Sequence, residues 1–202
     1  MLKNKKALSP KEQEVYFALS GNTNKIFTAE MLKDFRFTDY NTLKELLSSM
    51  SKKGWLTRIK KGVYYLNEPG SSGIEDIFKA ATYLYNGYVA FSSALYLYHA
   101  ITERPYTVYV ATRTESKSKI LGGIEVKAVA MGARAVGVTK YEGYVVSTRA
   151  KTLYDCFHIP DYAGGYGGFT QATYALALTT AEWGEFLVYI HKFDTGANKV
   201  EV

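Results

Sequence analysis

A change of period at Gly54 narrows the fold more than any other feature of this chain. Before it, Leu43, Leu46, Leu47 and Met50 recur at three- and four-residue spacing, which marks one buried stripe on a helix. After it, residues 55–66, Trp-Leu-Thr-Arg-Ile-Lys-Lys-Gly-Val-Tyr-Tyr-Leu, alternate like a β-hairpin that turns at Lys60-Lys61-Gly62. Upstream, Ser9-Pro10-Lys11-Glu12 combines an N-cap, a proline at the first helical position and a capping box. The helix it opens carries Val15, Ala18 and Leu19 on one face and ends at Gly21. A second short helix is expected after Thr28, with Met31, Leu32 and Phe35 buried, then a turn at Arg36-Phe37. Thr38 is expected to cap the third helix. Three helices followed by a basic hairpin is the order of a winged helix-turn-helix.

The charge distribution agrees with that order. Residues 1–66 hold 13 Lys and Arg against 6 Asp and Glu, so the whole excess of the +6 chain lies in its first third. A basic module beside a near-neutral one points to a polyanionic partner. In a winged helix the third helix enters the major groove and the hairpin follows the phosphates. The polar face of the third helix offers Thr38, Asn41, Thr42, Lys44, Ser48 and Lys52. An Asn amide pairs with adenine, a Thr methyl meets the thymine methyl, and Lys44 suits guanine or a phosphate. Arg58, Lys60 and Lys61 on the hairpin suit phosphates, which set register without reading sequence. The alternative is a winged helix that binds protein.

Residues 67–73, Asn-Glu-Pro-Gly-Ser-Ser-Gly, have linker composition and divide a DNA-binding domain at 1–66 from a second domain at 74–202. The chain is 47% apolar and 22% charged, enough to bury a core. The single cysteine, Cys156, excludes a disulfide framework and a multi-cysteine zinc site. No apolar run approaches the roughly 20 residues of a membrane span. The basic N-terminus lacks the apolar core of a signal peptide, so a cytoplasmic protein without membrane contact is expected.

The second domain mixes both element types. Ser72 and Glu75 form a capping box before a helix through Leu84. A strand at 88–91 precedes a helix capped by Ser92 or Ser93. Strands are expected at 106–111, 124–130, 136–138 and 144–146, then a helix from Ser147 that stops before Pro160 and two closing helices near 169–178 and 180–192. The whole reads as α+β with an open sheet. Glu125-Val126-Lys127 matches the E-x-K core of metal-dependent nucleases, with Asp76 or Glu103 as the further acid, but strand alternation alone also turns both charges outward. His99, His158 and His191 have no metal-ligand spacing, and Cys156 sits on an apolar stretch as a structural thiol. The glycines at 164–168 are expected to form a mobile connection, and no phosphate-binding or dinucleotide fingerprint is present. No catalytic set, metal or cofactor is expected.

Three segments together resemble a known family. The hairpin at 55–66 is similar to a wing of basic-x-Gly-hydrophobic-Tyr pattern. Residues 88–99, Tyr-Val-Ala-Phe-Ser-Ser-Ala-Leu-Tyr-Leu-Tyr-His, resemble a strand followed by an S-x-x-S-A-L-x-x-H helix start. Residues 146–156, with Ala150-Lys151-Thr152-Leu153-Tyr154-Asp155, resemble an A-K-T-L-x-D helix. In this order they resemble the AbiEi-type antitoxins, described as transcriptional regulators of viral defence systems, over roughly residues 10–160. The resemblance implies a type IV toxin–antitoxin role: repression through an inverted repeat in the operon's own promoter, as a homodimer or not, beside a nucleotidyltransferase-like toxin. It also marks Arg149, Lys151 and Asp155 as functional or structural positions, without a role. The Tyr- and Gly-rich segment after residue 160 lies outside the resemblance.

Overall fold

Ser9 opens the first helix as its capping box requires. Its hydroxyl accepts from the Glu12 N–H and the Glu12 carboxylate accepts from the Ser9 N–H at 2.6 Å. The helix, α1, runs Pro10–Ser20. The computed structural model describes residues 5–32, 39–70 and 74–194. Ile26–Thr28 form a short strand, β1, that the sequence reading lacks. Ala29–Leu32 form turns, with Leu32 buried and Met31 exposed, and the rest of the expected second helix lies outside the described residues. Phe35, Arg36, Phe37 and Thr38 lie outside the described residues.

The next helix, α2, spans Tyr40–Lys52 and buries Leu43, Leu47 and Met50. It is followed by β2 (Leu56–Lys60) and β3 (Val63–Leu66), which pair antiparallel as the alternation predicts, with a register shift between Arg58 and Lys60. The other edge of β3 pairs with β1, giving the sheet order β1-β3-β2. Val15, Leu19, Phe27, Leu32, Leu47 and Leu66 share the core. Glu12 is charged yet almost wholly buried, and the Lys53 ammonium lies 2.5 Å from it.

The chain divides into two compact units, at 1–84 and 85–202, later than the linker expected at 67–73. Side chains of the first unit hold the intervening segment. Lys5 donates to the Asn67 carbonyl at 2.9 Å, Lys25 pairs with Glu68 at 2.6 Å, and the Tyr65 hydroxyl accepts from the Glu75 N–H. The helix that follows, α3, is Ile77–Tyr85. Its first turn is capped by Asp76, whose carboxylate accepts from the Lys79 N–H at 3.0 Å. The expected cap at Ser72 lies outside the described residues.

In the second unit β4 (Tyr88–Val89) leads into α4 (Phe91–Leu97), then β5 (Thr107–Thr112), β6 (Lys117–Leu121), β7 (Ile124–Ala130), β8 (Val138–Tyr141) and β9 (Tyr144–Ser147). They form one open mixed sheet in the order β6-β7-β5-β4-β9-β8. Neither Ser92 nor Ser93 caps α4. The Ser93 hydroxyl instead accepts from the Tyr109 N–H at 2.9 Å and so ties the helix to β5. Thr148, not Ser147, caps α5 (Arg149–His158).

The glycines expected to form a mobile connection instead start α6 (Gly165–Leu176), and α7 (Thr180–Asp194) follows. A Cβ at Gly168 would stand 1.9 Å from the Ala163 carbonyl oxygen, so only glycine lets that helix start so close to the preceding turn. Leu95, Leu153, Cys156, Ala172 and Leu176 form the core where these helices meet. The chain is therefore α+β, with seven helices and two sheets among the described residues. No described helix is long and apolar enough to cross a membrane.

Candidate nucleic-acid interface

One face of α2 carries Tyr40, Lys44, Ser48 and Lys52 at four-residue intervals, so these side chains stack along a single line. That line forms one wall of a groove of about 760 Å³. The hairpin contributes Arg58, Lys61 and Gly62 to its lining, and Thr28, Ala29 and Glu30 line it as well. Four cations at once, Lys44, Lys52, Arg58 and Lys61, line a concave surface on the first unit. A concave surface with four cations against one carboxylate, Glu30, carries a net positive field that draws in an anion.

Of the residues singled out in the sequence, Lys44, Ser48, Lys52, Arg58 and Lys61 meet in this groove. Asn41, Thr42 and Lys60 are not among its lining residues, and Thr38 lies outside the described residues. Asp39, not Thr38, caps α2. Its carboxylate accepts from the N–H groups of Asn41 and Thr42 at 3.0 and 3.1 Å, and from the Thr42 hydroxyl at 2.5 Å. An aspartate is favoured there because its charge opposes the positive end of the helix dipole. The cap engages the Thr42 hydroxyl and puts a negative charge where a phosphate would otherwise approach the helix end.

The sequence reading missed Tyr40 and Glu30. The Lys44 ammonium lies 3.9 Å from the centre of the Tyr40 ring, and the Tyr40 hydroxyl donates to Glu30 at 3.1 Å. Burial and the neighbouring Glu30 raise the Tyr40 phenol above its ordinary pKa, so it stays a donor. The Tyr40-to-Lys44 spacing was the available signal, since residues four apart on a helix touch.

In the second unit the A-K-T-L-x-D segment builds a different feature. Lys151 and Asp155, one turn apart on α5, form an ion pair with neither side chain exposed. Asp155 Oδ2 is buried without a hydrogen-bond partner. Burial raises the Asp155 carboxyl to about 6, although Lys151 pulls it back, and burial lowers the Lys151 ammonium. Arg149 points elsewhere, 3.5 Å from Glu182.

Glu125 accepts from the Thr107 hydroxyl at 2.9 Å, and the Lys127 ammonium lies 4.8 Å from the Tyr162 ring centre. Among the described residues no three His, Cys, Asp or Glu gather as a metal site would require. Burial also pushes the Cys156 thiol well above its ordinary range. His158 stacks on Tyr154 with the rings 6° from parallel.

No family model and no curated protein sequence matches this chain. The chain is similar in structure to the crystal structure of the RV2827C protein from Mycobacterium tuberculosis, with a TM-score of 0.52 and 13% identity over 92% of this chain and 83% of that one. The likeness is one of fold.

Proposed function

We propose that this chain is a sequence-specific DNA-binding repressor whose first unit is a winged helix-turn-helix. The observation that carries the reading is the groove between α2 and the β2–β3 hairpin, where Lys44, Lys52, Arg58 and Lys61 converge. A duplex presents a dense line of phosphates, and a helix flanked by a basic hairpin suits one face of it. In this reading Lys52, Arg58, Lys60 and Lys61 neutralise phosphates, while Asn41, Thr42, Lys44 and Ser48 lie toward the base edges. Thr38, the remaining member of the expected set, lies outside the described residues.

The second unit, in this reading, serves a protein partner, and Arg149, Lys151 and Asp155 belong to its scaffold. The resemblance to AbiEi-type antitoxins extends the proposal to a cytoplasmic type IV antitoxin that represses its own operon and meets a nucleotidyltransferase-like toxin. The test is fluorescence anisotropy with DNA from upstream of its own gene, against a scrambled duplex, at two salt concentrations. Tight, selective and salt-sensitive binding supports the reading. Equal and weak binding to both duplexes removes it in favour of a protein-binding module. Cleavage of the DNA when a divalent metal is added would favour Glu125 and Lys127 as nuclease residues instead.

A further inference from the structure

Glu30 is the one acidic side chain among the described residues that line the basic groove. It is exposed, and the Tyr40 hydroxyl donates to it at 3.1 Å. A groove that only gripped phosphates would bind more tightly without a carboxylate, because like charges repel. A carboxylate is also an acceptor only, with about four acceptor positions, of which Tyr40 uses one. Whatever it recognises in DNA must therefore be a donor. In the major groove the donors on base edges are the exocyclic amino groups of cytosine and adenine.

Resting on the DNA-binding reading, we propose that Glu30 is a specificity-determining residue that accepts a hydrogen bond from a cytosine or adenine amino group. Tyr40 is its positioning residue. The tyrosine serves two neighbours at once: its hydroxyl fixes Glu30, and its ring holds the Lys44 ammonium at 3.9 Å. The tyrosine thus sets an acceptor and a cation beside each other in the groove lining. Glu30 acts against the wrong sequence as much as for the right one. Where no amino group faces it, its charge is brought against the duplex with the Tyr40 hydroxyl as its one donor among the described residues, and binding suffers.

The test selects bound molecules from a pool of randomised duplexes with the full chain, with Glu30→Ala and with Tyr40→Phe, and sequences them. The wild type is expected to enrich a motif with one position held as cytosine or adenine, and the base found there distinguishes the two sources. Glu30→Ala should lose preference at that position alone, by roughly 5- to 150-fold, and should bind unselected duplex more tightly. Tyr40→Phe keeps the ring beneath Lys44, so it should weaken the same position without lowering the melting temperature. A Glu30→Ala motif identical to that of the wild type overturns the inference while leaving the DNA-binding reading intact. So does a uniform loss at every position. A wild type that enriches no motif overturns both.

Discussion

Lys151 and Asp155 pair across one turn of α5 with solvent excluded from both side chains. Two charges taken out of water attract strongly but lose their hydration, so such a pair adds little net stability while each partner depends on the other. Replacing Lys151 by Met should therefore cost about 3–5 kcal/mol, because it strands a buried carboxylate whose Oδ2 already has no hydrogen-bond partner. Adding Asp155→Leu to it should restore most of that loss. Urea unfolding of the two variants measures both; a single variant as stable as the wild type would show that water reaches the site.

The pH response of this pair is opposite in sign to that of Glu12. With its carboxyl raised to about 6 by burial, against the pull of Lys151, folded Asp155 keeps a proton that the unfolded chain has lost above about 3.9. Its contribution to stability is thus greatest at low pH, falls as pH rises to about 6, and is level beyond. The Tyr88 and Tyr189 hydroxyls and the Cys156 thiol that feel its charge stay protonated over this range. Burial pushes Glu12 up, but Lys53, the Ser9 N–H and Ser49 outweigh it and hold the carboxyl at about 2. Its contribution is present above about pH 4.3 and is lost as pH falls toward 2. Melting temperatures of wild type, Asp155→Asn and Glu12→Gln between pH 3 and 7 should separate the two. At pH 7, Glu12→Gln should cost about 1.5–3 kcal/mol.

Adjacent glycines in α6 should respond oppositely to alanine. At Gly168 the new Cβ would stand 1.9 Å from the Ala163 carbonyl oxygen, so Gly168→Ala should destabilise by about 1–3 kcal/mol. At Gly167 nothing lies within 4 Å, so Gly167→Ala should stabilise by about 0.5–1 kcal/mol. Thermal melts of both variants check the helix start; equal shifts would move it.

On the DNA-binding reading, Arg58→Ala and Lys61→Ala should each reduce the slope of log affinity against log salt by about 0.9. Asn41→Ala should leave that slope unchanged and cost about 1–3 kcal/mol on the specific site alone. Anisotropy titrations over a salt series read both quantities. An unchanged affinity with Asn41→Ala would remove Asn41 from the base-reading set, in keeping with its place outside the groove lining.

What could be read from the sequence was whatever repeats locally. The capping box at Ser9 and Glu12, the apolar stripe of α2 and the alternation of the hairpin depend on neighbours a few residues away, and each stands where the pattern puts it. Strand β6 escaped because Lys117, Ser118, Lys119 and Ile120 are all exposed on an edge, where no alternation is needed. Helix α6 escaped because three glycines in its first four positions argue against a helix, and only Gly168 has a packing reason, the close approach of the Ala163 carbonyl. In the groove the basic residues were visible as charge. Glu30 was not, because only folding brings it to Tyr40, ten positions along the chain.

The shortest strand of the large sheet has a consequence in time. Strand β4 is two residues long, yet it alone connects β6-β7-β5 to β9-β8. Hairpins β6–β7 and β8–β9 need only short loops, whereas Val89 must find Val146 across nearly half of the unit. Gly87 adds a demand for accuracy, since a Cβ there would stand 2.3 Å from the Ala111 carbonyl oxygen. Closing so long a loop for so few hydrogen bonds is slow, and it is rewarded only once both hairpins exist. On topology alone, the pairing of Val89 with Val146 carries the highest closure cost in the sheet, so this seam is expected to form after the two hairpins.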